Sequence, residues 1–293
     1  MNTLHLIDAS PYIFRAYFSI PSSMQSPAGQ PTNAIYGYTS FLIDLLKREQ
    51  PTHVAVAFDG SLTTSFRNEI YPAYKAQRES PPAELEEQLD ACFEVTQAMG
   101  LRAFIDDRYE ADDIIGTLVA KFQKKDCSFV VVSGDKDLAQ LVNAHTILWD
   151  FAKDRRFDAK AVRAHFGVKP EQIVDLLALQ GDAVDNIPGV KGIGAKTAVA
   201  LLKKFPHVED LYEKIARVEK MEMRGAAAVR ARLEEGREAA FLSKQLATIA
   251  GHAPVKVTLR ELKYAGADRD KIETLFERFG FNRIRERIAK WNA

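Results

Sequence analysis

The sequence predicts an α/β layer over residues 1–158, followed by a helical lobe over 159–293. Three observations carry this expectation. Short apolar runs alternate with helix-period segments through the first half, the pattern of a mostly parallel sheet flanked by helices. Past residue 158 the strand-like runs fade while helical periodicity continues. The apolar runs also end in carboxylates: LHLID in Asp8, VAVAFD in Asp59, and FVVVSGDKD in Asp135 and Asp137.

Residues 4–8 read as a strand and about 33–48 (AIYGYTSFLIDLLKRE) as an amphipathic helix. Residues 53–58 are a second strand, and 84–99 a helix that Gly100 ends, as glycine often does. LRAFI at 101–105 is a short strand. The stretch 110–124 is a helix whose acidic start suits the positive end of the helix dipole. FVVVS at 129–133 is continuously apolar, as a strand buried on both faces requires. ILWDF near 147–151 adds another strand. Sites in such folds lie at the carboxyl ends of the strands, where Asp8, Asp59, Asp135 and Asp137 fall.

In the second half, 159–166, 170–180, 195–204, 208–216, 226–235 and 238–247 read as helices. Residues 254–259 read as one short strand and 268–290 as helix. With no Gly/Ser/Pro-rich spacer between the halves, the lobe is expected to pack on the layer. Internal repeats and low-complexity tracts are absent from the sequence.

Composition excludes several classes. The apolar and charged fractions, 46% and 27%, are those of an ordinary soluble protein. No apolar stretch approaches the ~20 residues of a membrane helix, and MNTLHLIDAS lacks the features of a signal peptide. Cys92 and Cys127 are too few for a disulfide framework, so a cytoplasmic, reducing location is expected. Net charge is zero, yet residues 1–150 hold 12 Lys/Arg against 20 Asp/Glu, and 151–293 hold 28 against 20. The resulting balances of −8 and +8 suit a basic half that grips a polyanion and an acidic half that holds cations.

Nine acidic residues stand where clustered metal ligands would: Asp8, Asp59, Glu110, Asp112, Asp113, Asp135, Asp137, Asp182 and Asp185. Carboxylates gathered at strand ends repel one another and lose solvation, so protons or cations must neutralise them. An all-oxygen set without His or Cys favours Mg²⁺ or Mn²⁺ over zinc. In YEADD, Glu110 and Asp113 are three apart and face the same way on a regular helix, with Asp112 turned towards a second position. Asp182 and Asp185 in LQGDAVDNIPG form a second pair where a helix yields to a turn. Either pair alone also reads as capping or turn chemistry; their sum with four strand-end aspartates suits two ions ~4 Å apart acting on a phosphodiester.

Gly189-Val-Lys-Gly-Ile-Gly194 precedes a helix, and its glycines permit close backbone approach to an anion. A Walker-type loop is the competing reading. It fails because no strand precedes the glycines and Ala195 separates Gly194 from Lys196-Thr197. A helix–hairpin–helix over about 170–205 fits better, a module that holds DNA backbone without reading bases. Residues 61–82 carry Arg67, Lys75 and Arg78 among Phe66, Tyr71 and Tyr74, which suits single-stranded nucleic acid. A surface helix with tyrosines on the core is the bland alternative, though Pro72 argues for a bent cover. Arg15, seven residues past Asp8, could reach back to the acidic cluster.

Together LIDASPYIFRAY, VAFDG with FR and AYKAQR, YEADD, SGDKDLAQL and GDAVDNIPGVKGIGAKTA resemble the 5′-nuclease (flap endonuclease-like) family. The likeness is strongest to the 5′→3′ exonuclease domain at the N-terminus of bacterial DNA polymerase I. It covers nearly the whole chain in the family's order. The resemblance implies a PIN-like (Rossmann-like) core, a helical arch over 61–82 and a helix–three-turn–helix DNA clamp. It also implies a first metal cluster of Asp8, Asp59, Glu110, Asp112 and Asp135, and a second of Asp137, Asp182 and Asp185, with Asp113 shared or neighbouring. Lys75 and Arg78 would touch the scissile phosphate, and Arg15 would make another phosphate contact. Arg67, Tyr74, Gly189, Lys191, Gly192, Gly194 and Lys196 would contact DNA, with K⁺ held by the 189–194 hairpin. The implied activity is structure-specific cleavage of 5′ flaps, nicks, branched junctions or RNA primers on DNA, in replication and repair, by a monomer. A non-catalytic branched-DNA binder is the alternative, but no acidic position of the pattern is missing. With no room for a polymerase or proofreading domain, a free-standing nuclease or an excised domain is expected.

Overall fold

The apolar runs of the first half become the strands of one sheet. A computed structural model describes residues 2–61 and 64–292. The strands are β1 (Asn2–Asp8), β2 (His53–Asp59), β3 (Arg102–Asp106), β4 (Cys127–Val132), β5 (Thr146–Asp150) and β6 (Arg155–Phe157). They lie in the order β3-β2-β1-β4-β5-β6, parallel except for β6, which runs antiparallel to β5. The chain builds outward from β1 to β3 and then returns to β4 on the other side of β1. That reversal opens a crevice beyond the carboxyl ends of β1 and β4, the usual ligand position in open α/β sheets.

The first-half helices are α1 (Ser10–Ser19), α2 (Asn33–Glu49), α3 (Phe66–Ile70), α4 (Ala83–Ala98) and α5 (Ala111–Phe122). The second half adds α6 (Ala159–Phe166), α7 (Ile173–Gln180), α8 (Ala195–Leu202), α9 (Val208–Glu213), α10 (Ala226–Glu235), α11 (Arg237–Ala247) and α12 (Arg269–Phe279). Alternate strand residues supply two cores, because successive side chains point to opposite faces. Leu4, Leu6, Ala55, Ala57, Phe129 and Val131 pack with α5 and the helices α6–α11. Ile7, Val54, Val56, Val130 and Val132 pack with α1, α2, α4 and α12.

Three stretches differ from the sequence reading. Residues 254–259 form no strand. Pro254 has no N–H for a ladder, and the neighbouring polar groups are taken by α5: Ala253 N–H donates to Thr117 Oγ1 (2.8 Å) and Lys121 Nζ to Val255 O (2.8 Å). The helix expected over 268–290 stops at Phe279, where Gly280 takes a left-handed φ of 75°. Ile272, Phe276, Phe279, Phe281, Ile284 and Ile288 then pack on the α2/α4 face of the sheet, away from α6–α11. The expected arch is compact: α3 is five residues long, and a turn-rich stretch follows Pro72. Leu62 and Thr63 lie outside the described residues.

Candidate active site

Strand register places the first carboxylates. Asp8 ends β1 and Asp59 ends β2, in parallel strands with Asp8 opposite Ala57. Asp8 is 4% exposed and accepts a hydrogen bond from Ser133 Oγ, just past β4, at 2.7 Å. Burial, then the neighbouring Asp59, pushes its carboxyl well above the ordinary range, while the Ser133 bond opposes this. Asp59 is held by Ser10 Oγ (2.6 Å) and the Ala111 N–H (2.9 Å), which ties β2 to both α1 and the start of α5. Asp135 opens onto the cleft, and crowding by protein atoms raises its carboxyl.

The start of α5 divides its three acids. Glu110 is the N-cap, with extended backbone, so its side chain leaves in a different direction from those of the helix. It meets Lys75 Nζ at 2.6 Å, Tyr74 Oη at 3.1 Å and Arg67 Nη1 at 3.2 Å. Burial alone would raise its carboxyl, but Lys75 and Arg67 hold it below the usual value. Asp112 faces the strand ends, where burial and the charges of Asp135, Asp8 and Asp59 push it well up. Asp113 points the other way. It is fully buried, gripped at 2.8 Å on both oxygens by the Arg67 guanidinium, and accepts the Ala250 and Glu110 N–H groups.

The second set sits one step along the crevice. Asp137 donates its N–H to Asp135 Oδ1 (2.8 Å), and burial followed by Asp135 pushes its own carboxyl up to about 8. Asp182, 8% exposed, receives Lys136 Nζ at 2.5 Å. Asp185 receives Arg78 Nη2 at 2.5 Å and Tyr74 Oη at 3.3 Å. The turn bearing Asp185 is stitched to the 71–78 stretch: Lys75 N–H donates to Asp185 O (3.0 Å), Gln77 to Ala183 O and Val184 O (both 3.0 Å), and Asn186 to Ala73 O (2.6 Å). A cleft of about 190 Å³ thus collects Asp8, Asp59, Glu110, Asp112, Asp135 and Asp185 with Lys75 and Arg78.

Among the described residues no three acidic, His or Cys groups converge as a ready-made metal cage; lysine and arginine hold several of the carboxylates. The donor set nonetheless fits a hard divalent ion. Its groups are all oxygen, Asp8, Asp112 and Asp135 line the one cleft with carboxyls that burial raises first, and one buried oxygen of Asp137 has no partner. A bound cation would relieve each strain.

Beyond Asp185 the chain turns through the glycine hairpin. Gly189 adopts φ 61° and gives its N–H to Ser243 Oγ (2.8 Å); a Cβ there would lie 2.3 Å from Gly181 N. Lys191, Gly192, Gly194 and Lys196 are exposed on the way into α8.

Comparison with known proteins decides the family. A model described as the 5′-3′ exonuclease N-terminal resolvase-like domain matches residues 3–167. One described as the 5′-3′ exonuclease C-terminal SAM fold matches 168–270. The chain belongs to the 5′-3′ exonuclease family. DNA polymerase I of Bacillus caldotenax is 42% identical over 290 residues, covering 97% of this chain and 32% of that protein. DNA polymerase I of Bacillus subtilis is 39% identical over 294 residues, covering 99% and 32%. The chain therefore spans about a third of the length of the curated relatives it matches. Among solved structures, bacteriophage T5 5′-exonuclease with divalent zinc bound gives a TM-score of 0.69 at 23% identity, covering 95% of this chain and 98% of that one. A T5 flap endonuclease in a pseudo-enzyme-product complex with DNA and metal ions gives 0.67 at 25%, covering 84% and 89%. The fold is the PIN-like one these nucleases share.

In this 5′-3′ exonuclease chain three expected roles meet a different geometry. Arg67 and Tyr74, read as DNA contacts, are 3% and 2% exposed, turned inward by Asp113 and Glu110. Asp113, read as a shared or neighbouring ligand, has its oxygens taken by Arg67 and backbone N–H groups. Arg15 is exposed on α1 beside Tyr12, Tyr36 and Asp44, outside the carboxylate cleft, and among the described residues makes no ion pair. Sequence reasoning missed Ser10, Ser133 and Lys136. Each sits within two residues of a strand-end aspartate, the one signal that could have found them.

Proposed function

We propose that the chain is a divalent-metal-dependent 5′→3′ exonuclease and flap endonuclease that hydrolyses DNA phosphodiesters. The observation that carries this reading is the single cleft at the sheet's reversal point, lined by six carboxylates, Lys75 and Arg78. Asp8, Asp59, Asp112, Asp135 and Glu110 would hold one Mg²⁺ or Mn²⁺, and Asp137, Asp182 and Asp185 a second. When bound, the two ions supply an activated water and a stabilised leaving oxygen. Lys75 and Arg78, anchored in the turn stitched to 182–187 and lining the cleft, would present cations to the scissile phosphate. Lys191 and Lys196 would grip duplex phosphates outside the cleft, with K⁺ in the 189–194 hairpin. Substrates would be DNA with a 5′ flap, nick or branch, or an RNA primer on DNA, met by a monomer in the cytoplasm. Among the described residues no helix is long and apolar enough to cross a membrane.

The test is cleavage of 5′-end-labelled flap, nicked and RNA-primed duplexes in Mg²⁺, Mn²⁺ or EDTA, beside Asp182→Asn. Cutting near the junction that needs the metal and is lost in the variant is the expected result. Tight flap binding with no product at any metal concentration would establish a branched-DNA-binding module instead.

A further inference from the structure

We propose that Arg67 is a positioning residue that fixes the Glu110 carboxylate for metal, and that Asp113 is its anchor and not a ligand. The inference rests on the metal-dependent reading above.

Arg67 lies in α3, remote in sequence from α5 and α11, yet it is 3% exposed and joins all three helices. Its Nη1 and Nη2 each meet one oxygen of Asp113 at 2.8 Å, the two-pronged geometry that a guanidinium forms and an ammonium cannot. Nη1 also reaches Glu110 Oε2 at 3.2 Å. Nε donates to Leu246 O at 2.7 Å and Nη2 to Thr248 O at 3.0 Å, both at the C-terminal end of α11. The guanidinium stacks 4.6 Å from the Phe66 ring.

These contacts leave Arg67 no donor for phosphate and Asp113 no oxygen facing the cleft. Asp113 accepts Arg67 twice, Ala250 N–H at 2.8 Å and Glu110 N–H at 3.1 Å. Glu110 is therefore held on both sides: its backbone by Asp113 and its carboxylate by Arg67, Tyr74 and Lys75. Of those three, Lys75 lines the cleft and can leave for substrate, whereas Arg67 is locked behind it. Groups that orient a metal ligand in this way typically change metal affinity 10- to 100-fold when removed.

The experiment is Mn²⁺ titration by calorimetry of the wild-type chain, Arg67→Lys and Asp113→Asn, with flap-duplex affinity measured separately in EDTA. Arg67→Lys keeps the charge and loses the fork. It is expected to bind Mn²⁺ about tenfold more weakly at unchanged stoichiometry, with flap affinity within about twofold of wild type. Asp113→Asn is isosteric and answers the same question if the lysine variant fails to fold: weaker Mn²⁺ binding at full stoichiometry is expected. Loss of one Mn²⁺ equivalent in Asp113→Asn would make Asp113 a ligand and overturn the inference. So would a fall in flap affinity with Mn²⁺ binding intact in Arg67→Lys, or a folded Arg67→Lys that binds both as wild type does. A wild-type chain that takes up no Mn²⁺ would instead overturn the nuclease reading.

Discussion

At position 110 the backbone is extended (φ −75°, ψ 165°), one residue before α5 begins, and that angle decides which acids share the cleft. On a continuous helix Glu110 and Asp113 would face one way and Asp112 another. Because Glu110 is the cap, it swings to Lys75 while Asp112 turns to the strand ends. Helical spacing pairs Glu110 with Asp113, and the two do share Arg67 Nη1; what spacing does not show is that Lys75 takes the other Glu110 oxygen at the cleft. Lys75 tests the site at this scale. Its Nζ reaches Glu110 and its backbone holds φ 54°, so the side chain is aimed by the turn it sits in. Lys75→Ala should slow single-turnover cleavage about 10²- to 10³-fold with flap affinity little changed; an unchanged rate would remove Lys75 from the chemistry. His5 gives a pH prediction away from the cleft. Its ring is buried in β1, 3.8 Å from Glu49 Oε2, and burial holds its pKa below 6.5 despite that carboxylate. The unfolded chain then binds the proton more readily, so this contribution is complete above about pH 6.5 and is lost as pH falls. His5→Phe should flatten the acid limb of the melting temperature between about pH 6.5 and 5, and an identical pH slope would refute it.

Elements differ in how much of them the sequence discloses. Strands β1, β2 and β4 are buried on both faces, so their continuous apolar runs mark them. Strand β6 is only Arg155-Arg156-Phe157; it pairs because a tight turn folds it back on β5, and three residues carry no period. Helix α1, SPYIFRAYFS, is rich in Ser and aromatics with weak helix propensity and is held by packing on α2. The hairpin behaves oppositely: its glycines were visible in the sequence, and the structure gives the reason at Gly189. Gly189→Ala would place a methyl against the Gly181 backbone at an unfavourable φ. It should cost more than about 1 kcal/mol in urea unfolding and weaken flap binding; a stable variant would contradict the hairpin geometry. Arg67→Met leaves Asp113 buried without its guanidinium and should cost about 3–5 kcal/mol by the same measurement.

Across the whole molecule, the −8 and +8 balances of the two halves are separated in sequence but not cleanly in packing. Residues 264–291 return to the α2/α4 face, a long-range contact that local periodicity cannot reveal. The reversal of strand order at β1 and β4 is equally non-local. The strand-end aspartates hinted at it, because only a shared carboxyl edge brings Asp8, Asp59 and Asp135 together. The proposed grip of the basic lobe on DNA is a charge effect, so Lys191→Ala and Lys196→Ala should each reduce the slope of log affinity against log salt by about 1. The most direct test of the carboxylate cleft as the cutting centre is cleavage of one 5′-end-labelled flap duplex in Mg²⁺ by wild type and Asp135→Ala, with binding of that duplex followed in parallel. If the carboxylate cleft is the cutting centre, cleavage falls at least about a hundredfold while binding is kept. A variant that cuts at the wild-type rate would contradict that role.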